Sequence, residues 1–301
     1  MSQRSRTVSV FTTLVLALCV EAAAAPAGWI LFESERSGSL DIFAVRPDGS
    51  DLRQLTANAG ANSSPSVSPD GATIAFTSTR DGNSEVYLMN LGGSEPRRLT
   101  HTAVDESYPS WSPDGMQIVC SQHDSHDAEI CLVDITTGET RKITDNDVDD
   151  WAPSWSPSGD RIAFARGVFP NTCICVMTPD GSGVVTLTAC SGYRGAPAWS
   201  PDGAWIAYYQ EVAAGNTEIF IIAADGSNPR RMTSHPQPDE FPVWSPDGAY
   251  LAFASLRAGG YADVYVLSVA NPLTEIRSVS PAPRGWDCPG AWVAESSALT
   301  P

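Results

Sequence analysis

The chain has 301 residues, with 35 acidic against 18 basic side chains and a net charge of −17. So acidic a surface repels phosphate backbones and anionic headgroups. That makes nucleic acid and membrane surfaces poor partners and cations and basic protein patches better ones.

In chain order, Arg4 and Arg6 precede a mostly apolar run, Val8 to Val20, and Ala22-Ala23-Ala24-Ala25-Pro26-Ala27 follows. A positive start, a short apolar core and a small-residue exit describe a secretory signal peptide over residues 1–25. The run is too short to span a bilayer. Cleavage is expected between residues 23 and 27, and Leu18 is bulkier than the residue that usually precedes a lipidated cysteine such as Cys19. Cleavage removes two positive charges and one negative (Arg4, Arg6, Glu21), taking the net charge from −17 to −18. A periplasmic or secreted protein with no membrane insertion after signal cleavage is therefore expected.

From Trp29 to Thr56 the sequence reads as three short strands. Beyond it a phrase returns: Pro109-Ser110-Trp111-Ser112-Pro113-Asp114-Gly115, then Pro153 to Gly159, Pro197 to Gly203 and Pro242 to Gly248, with Val67 replacing Trp in a first copy, Pro65 to Gly71. The serines fall at 68, 112, 156, 200 and 245, a step of 44 or 45 residues. Self-similarity at that period in strand-rich units is the mark of a β-propeller.

One unit shows the plan. Strand A holds Pro65-Ser66-Val67, and Ser68-Pro69-Asp70-Gly71 is a turn in which Pro presets φ and Gly suits the exit. Thr73 to Thr77 is strand B, Thr79 to Ser84 a polar loop, Glu85 to Met89 strand C, and Arg97 to Thr100 strand D. Strand D ends in a hydrophobic–hydroxyl pair six times: Leu55-Thr56, Leu99-Thr100, Ile143-Thr144, Leu187-Thr188, Met232-Thr233 and Val279-Ser280. Strand A gives five copies and a degenerate sixth, Pro289-Gly290-Ala291-Trp292. The first unit lacks strand A and the last segment has nothing else, so the two ends complete one blade. The fold expected is all-β: a six-bladed propeller of four-stranded antiparallel blades over residues 28–293, with a tail at 294–301. The recurring Trp111, Trp155, Trp199, Trp244 and Trp292 are expected to pack between sheets.

The Ser-Pro-Asp-Gly turns, the Ile-Ala-Phe strands (Ile74-Ala75-Phe76, Ile162-Ala163-Phe164) and the Arg-Arg-Leu-Thr ending make the chain resemble the TolB-type propeller repeat over roughly residues 28–293. The resemblance implies a binding role in the bacterial envelope, with a Pal-like lipoprotein as partner. Members of the TolB type carry an α/β domain before the propeller, which is expected to be lacking here.

Loops D–A and B–C share one face of a propeller, and the irregular residues lie there, where scaffolds carry function. Asp105, Glu106, Asp149, Asp150, Asp239, Glu240 and Asp287 sit at or just before the strand A starts. They are expected to converge at the channel mouth as a rim for a basic partner element or for Ca²⁺. The second function class is a glycan-active enzyme, a lyase or glycosidase, with His123 and His126 as half of a metal site; no Gly-x-Ser-x-Gly elbow occurs. Six cysteines follow the signal and permit disulfides in an exported protein. Six cysteines allow 15 pairings and buried thiols are an alternative; Cys120 with Cys131 and Cys173 with Cys190 are the pairs the strand positions favour.

Overall fold

The computed structural model describes residues 26–57, 60–280, 285–295 and 299; the expected signal peptide lies outside them. Among the described residues there are six four-stranded sheets, each antiparallel. Numbering blades from the N-terminus, the strands A are Asp287–Val293, Asn62–Val67, Asp105–Trp111, Asp150–Trp155, Arg194–Trp199 and Asp239–Trp244. Each of these touches the strand A on either side, so together they ring the axis. Strands B, C and D follow outward. The outermost strand is only two or three residues long, which leaves little exposed edge for unwanted pairing.

Blade 1 is made from both chain ends. Trp29–Ser34 pairs on one side with Asp41–Val45 and on the other with Asp287–Val293, with Ile30 opposite Trp292. The ring is therefore closed by the two chain ends, as expected from the sequence. Three further contacts hold the seam. The Trp292 indole N–H donates to Ala27 O at 2.9 Å. The Gly28 N–H donates to Glu295 at 2.9 Å, and Arg46 pairs with Glu295 while its guanidinium lies 4.0 Å from the Trp29 ring centre.

The repeated phrase is explained by its bonds. In Ser68-Pro69-Asp70-Gly71, the Ser68 hydroxyl donates to Asp70 at 2.5 Å and accepts from the Thr73 N–H at 2.9 Å. Asp70 also accepts from the Ala72 N–H, and Gly71 holds a positive φ of 71° that a side chain disfavours. In blade 4, where Ser158 stands in place of Asp, Asp160 accepts from Ser156 instead. Of the tryptophans, Trp155, Trp244 and Trp292 are buried, and Trp111 and Trp199 pack against cores shared by neighbouring blades. Val67 fills the same place against the blade 1 core.

Candidate functional site at the channel mouth

The inner-strand acids do not stand free at the rim. Glu106, Asp150, Asp239 and Asp287 are fully buried, and each is held by hydroxyl or guanidinium groups. Removing such carboxylates from water is costly unless they are paired, and the sequence supplies the pairs by a second, less visible repeat. Ser34-Glu35-Arg36, Ser78-Thr79-Arg80 and Ser255-Leu256-Arg257 end three of the B strands. In each, the arginine Nε donates to the serine hydroxyl, at 3.0, 2.9 and 2.8 Å. The same guanidinium then reaches strand A: Arg36 to Asp287, Arg80 to Asn62 at 3.0 Å and Arg257 to Asp239 at 2.7 Å. Arg166 grips Asp150 with two bonds of 2.7 and 2.6 Å. In blade 5 the polarity reverses, Arg194 donating to Gln210 at 3.2 Å.

The hydroxyl that ends each strand D belongs to this network. Thr56, Thr100, Thr144, Thr188, Thr233 and Ser280 each accept a strand C N–H at 2.8–2.9 Å. Thr100 and Ser280 also donate to the strand A carboxylates of the next blades, Glu106 and Asp287. Hydroxyls and carboxylates thus stitch neighbouring blades together. Burial, helped by the proximity of Glu85, pushes the Glu106 carboxyl up to about 7. The other rim acids are dispersed: Asp105 is exposed and caps the Ser84 N–H, Asp149 caps the Ala128 N–H, and Glu240 accepts from Thr217. Among the described residues no group of three or more His, Cys, Asp or Glu side chains could hold a metal.

Strand C carries its own anchor. Glu85, Glu129 and Glu218 accept the backbone N–H of the D–A loop residues Thr102, Asn146 and His235, at 3.0, 2.5 and 2.7 Å. In blade 4 the carboxylate position is taken by Cys173, opposite Arg166, and the loop position by Cys190. These two form a disulfide across 17 residues, so a covalent bond replaces the carboxylate tie. The second expected pair is corrected. Cys120 and Cys131 are direct cross-strand partners, yet both are free thiols. Directly opposed residues stand with side chains parallel and farther apart at Cβ than a disulfide favours, and the Cys131 thiol instead donates to Gln122 at 3.2 Å.

His123 and His126 have separate surroundings. His123 lies 2.8 Å through Nε2 from the Ser107 hydroxyl, and burial lowers its pKa. His126 is exposed beside Asp124 and Ser125.

One feature of the site escapes sequence reasoning. A cavity of about 180 Å³ lies on the axis, walled by Pro65, Pro109, Pro153, Pro197, Pro242 and Pro289. In blades 2 to 6 the residue before the proline is bulged with positive φ, 54° at Tyr108 and 53° at Phe241, and both of these residues line the cavity; such bulges re-aim side chains. The carboxyl group in the wall is Glu33 from strand B of blade 1. It accepts the Ser64 N–H at 2.7 Å, and burial pushes its pKa up to about 7. Above it, Trp151, Tyr193, Tyr209 and Phe241 form a chain of ring contacts 5.4–6.2 Å apart, with Phe169 edge-on to Tyr193 at 5.1 Å. The alternation of strand B marks Glu33 as an ordinary polar position; only closure of the ring turns it toward the axis.

No curated protein matches the chain by sequence. The family model for the TolB beta propeller domain matches residues 18–194 and 182–282. TolB from Acinetobacter baumannii is a similar solved structure, with 20% identity, a TM-score of 0.77, and coverage of 89% of this chain and 67% of that one. Putative TolB from Agrobacterium tumefaciens is 22% identical, with a TM-score of 0.69 and coverage of 88% and 91%. An oligogalacturonate lyase in complex with manganese gives 16% identity, a TM-score of 0.55 and coverage of 84% and 74%. At these identities the structural likenesses concern the fold.

Proposed function

Since the chain belongs to the TolB β-propeller family, we propose that it is an exported, non-catalytic binding module that docks an envelope protein on the D–A/B–C face. One observation carries this reading. The exposed large aromatic residues among the described residues are Phe169, Tyr261 and Trp286, 73%, 43% and 45% exposed, and all three belong to loops of this face. The opposite face exposes aliphatic residues such as Met116, Val184 and Leu273. Aromatic anchors dominate binding energy at protein interfaces, and the acidic loops around them suit a partner with a basic patch. A protein partner fits better than Ca²⁺ on the rim, because four of the expected rim carboxylates are committed to arginine and hydroxyl groups. The lyase likeness is one of fold and brings no catalytic group to this chain.

The test is calorimetric titration with the soluble domain of a Pal-type lipoprotein. Micromolar binding is expected, weakened about tenfold or more by Phe169→Ser or Trp286→Ser, a loss of about 1.4 kcal/mol, and weakened by salt. Binding indifferent to both substitutions, or absent, would overturn the docking face or the partner class.

A further inference from the structure

The axial cavity holds a carboxyl group with no ion-pair partner among the described residues. The buried acids described above are each tied to an arginine, a hydroxyl or a loop N–H. Glu33 has Ser64 as its hydrogen-bond partner and no ion-pair partner among the described residues. Nor does the position call for a carboxylate. Its equivalents in blades 2 to 6 are Thr77, Ser121, Ala165, Tyr209 and Ala254. Ser121 performs the same local task, accepting the N–H of Ala152 in the next blade at 2.9 Å, and the two alanines show that the task is dispensable.

We propose that the cavity is a binding site for a primary alkylammonium group, with Glu33 as its counter-ion and the Tyr108 and Phe241 rings as its aromatic walls. The chemistry of the wall selects this class. A hard divalent ion needs six to eight oxygen ligands, whereas this wall offers one carboxyl group among prolines, serines and rings. An alkylammonium needs one anion, an apolar sleeve for its carbon chain and π faces for its positive end. The other titratable groups near Glu33 supply no competing cation. Tyr108 and Cys288 are held neutral by burial, and Glu240, whose carboxyl burial also pushes up, cannot act as a cation.

The ammonium has two possible sources, a free alkylamine or a lysine side chain of the docked partner; the second rests on the proposed docking role and the first does not. The probes are n-butylammonium, the neutral isostere n-butanol, Ca²⁺ and the tripeptide Gly-Lys-Gly, titrated into the whole protein and followed by calorimetry and ligand NMR. Butylammonium is expected to bind at least tenfold more tightly than butanol. Glu33→Gln is expected to abolish that preference, while Glu240→Gln changes it less than threefold. Glu33→Ser, which copies the Ser121 arrangement, guards against a folding defect. Because the ammonium pairs with ionised Glu33, affinity falls roughly tenfold per pH unit below about 7. Stronger binding of the lysine tripeptide points to a partner's lysine, and preference for the free amine to a small metabolite. Butylammonium binding no better than butanol, or an unaltered preference in Glu33→Gln and Glu33→Ser, overturns the proposal. That failure leaves the docking reading standing, since Phe169 and Trp286 do not line the cavity.

Discussion

Replacing Trp292 by alanine tests whether closure by the two chain ends holds the ring. The side chain is 7% exposed and packs against Ile30, Phe32 and Val266 in the core between blades 1 and 6. A buried tryptophan removes 150–250 Å² from water, of which alanine keeps a small part; at about 25 cal/mol per Å² the difference is about 4 kcal/mol. The lost bond from the indole N–H to Ala27 O adds about 1 kcal/mol. Partial relaxation of the site acts the other way, so we expect a loss of about 4 kcal/mol, inside the usual range for such truncations. Trp111 is the internal control. It stands at the same blade position but is half-buried, and its indole N–H has no partner, so Trp111→Ala should cost about 2 kcal/mol. Urea denaturation of the two variants, read by far-ultraviolet circular dichroism, gives both numbers, and limited proteolysis reports whether the first strand is released. Equal losses, or a seam as protease-resistant as in the parent, would refute the view that Trp292 secures a closure more demanding than an ordinary blade contact.

Two further outcomes follow from the anchor network. Arg166→Gln leaves Asp150 buried without its cation and should cost about 3–5 kcal/mol; adding Asp150→Asn should recover more than half, and simple additivity in the double-mutant cycle would show that the pair is not coupled. Reducing the Cys173–Cys190 bond should cost about 3 kcal/mol from its loop length, and peptide mapping without reduction should find Cys120 and Cys131 open to alkylation after unfolding.

What could be read from the residues alone follows from what repeats. The Ser-Pro-Asp-Gly turn is local chemistry written five times with one departure, so its pitch reports blade number directly, and the unpaired first and last segments forecast that the two chain ends would share one blade, in which Ile30 faces Trp292. The fate of the inner acids was less accessible. Asp239 and Asp287 look like solvated loop carboxylates until their partners are known, and Arg36 lies 251 residues from Asp287. The Ser-x-Arg ending of strand B was the available signal. Cys190 could be aligned with Thr102, Asn146 and His235 by the 44-residue step, but the alignment says nothing of the carboxylate tie it replaces. Glu33 had no signal at all, because its meaning depends on which face of one strand turns inward once six sheets share an axis.

The seam in blade 1 also sets an order of events. Among the described strands Trp29–Ser34 is the first to be synthesised, yet its inner neighbour, Asp287–Val293, is the last. Until Asp287–Val293 is available, five complete sectors can stack while the founding one presents an open backbone ladder, the kind of surface that recruits strands from other molecules. Since Gly28 and Glu295 end up bonded to each other, a covalent bridge between them with a new opening in a loop such as 256–262 should yield a permuted protein in which every sector is built from contiguous sequence except the one that holds the cut.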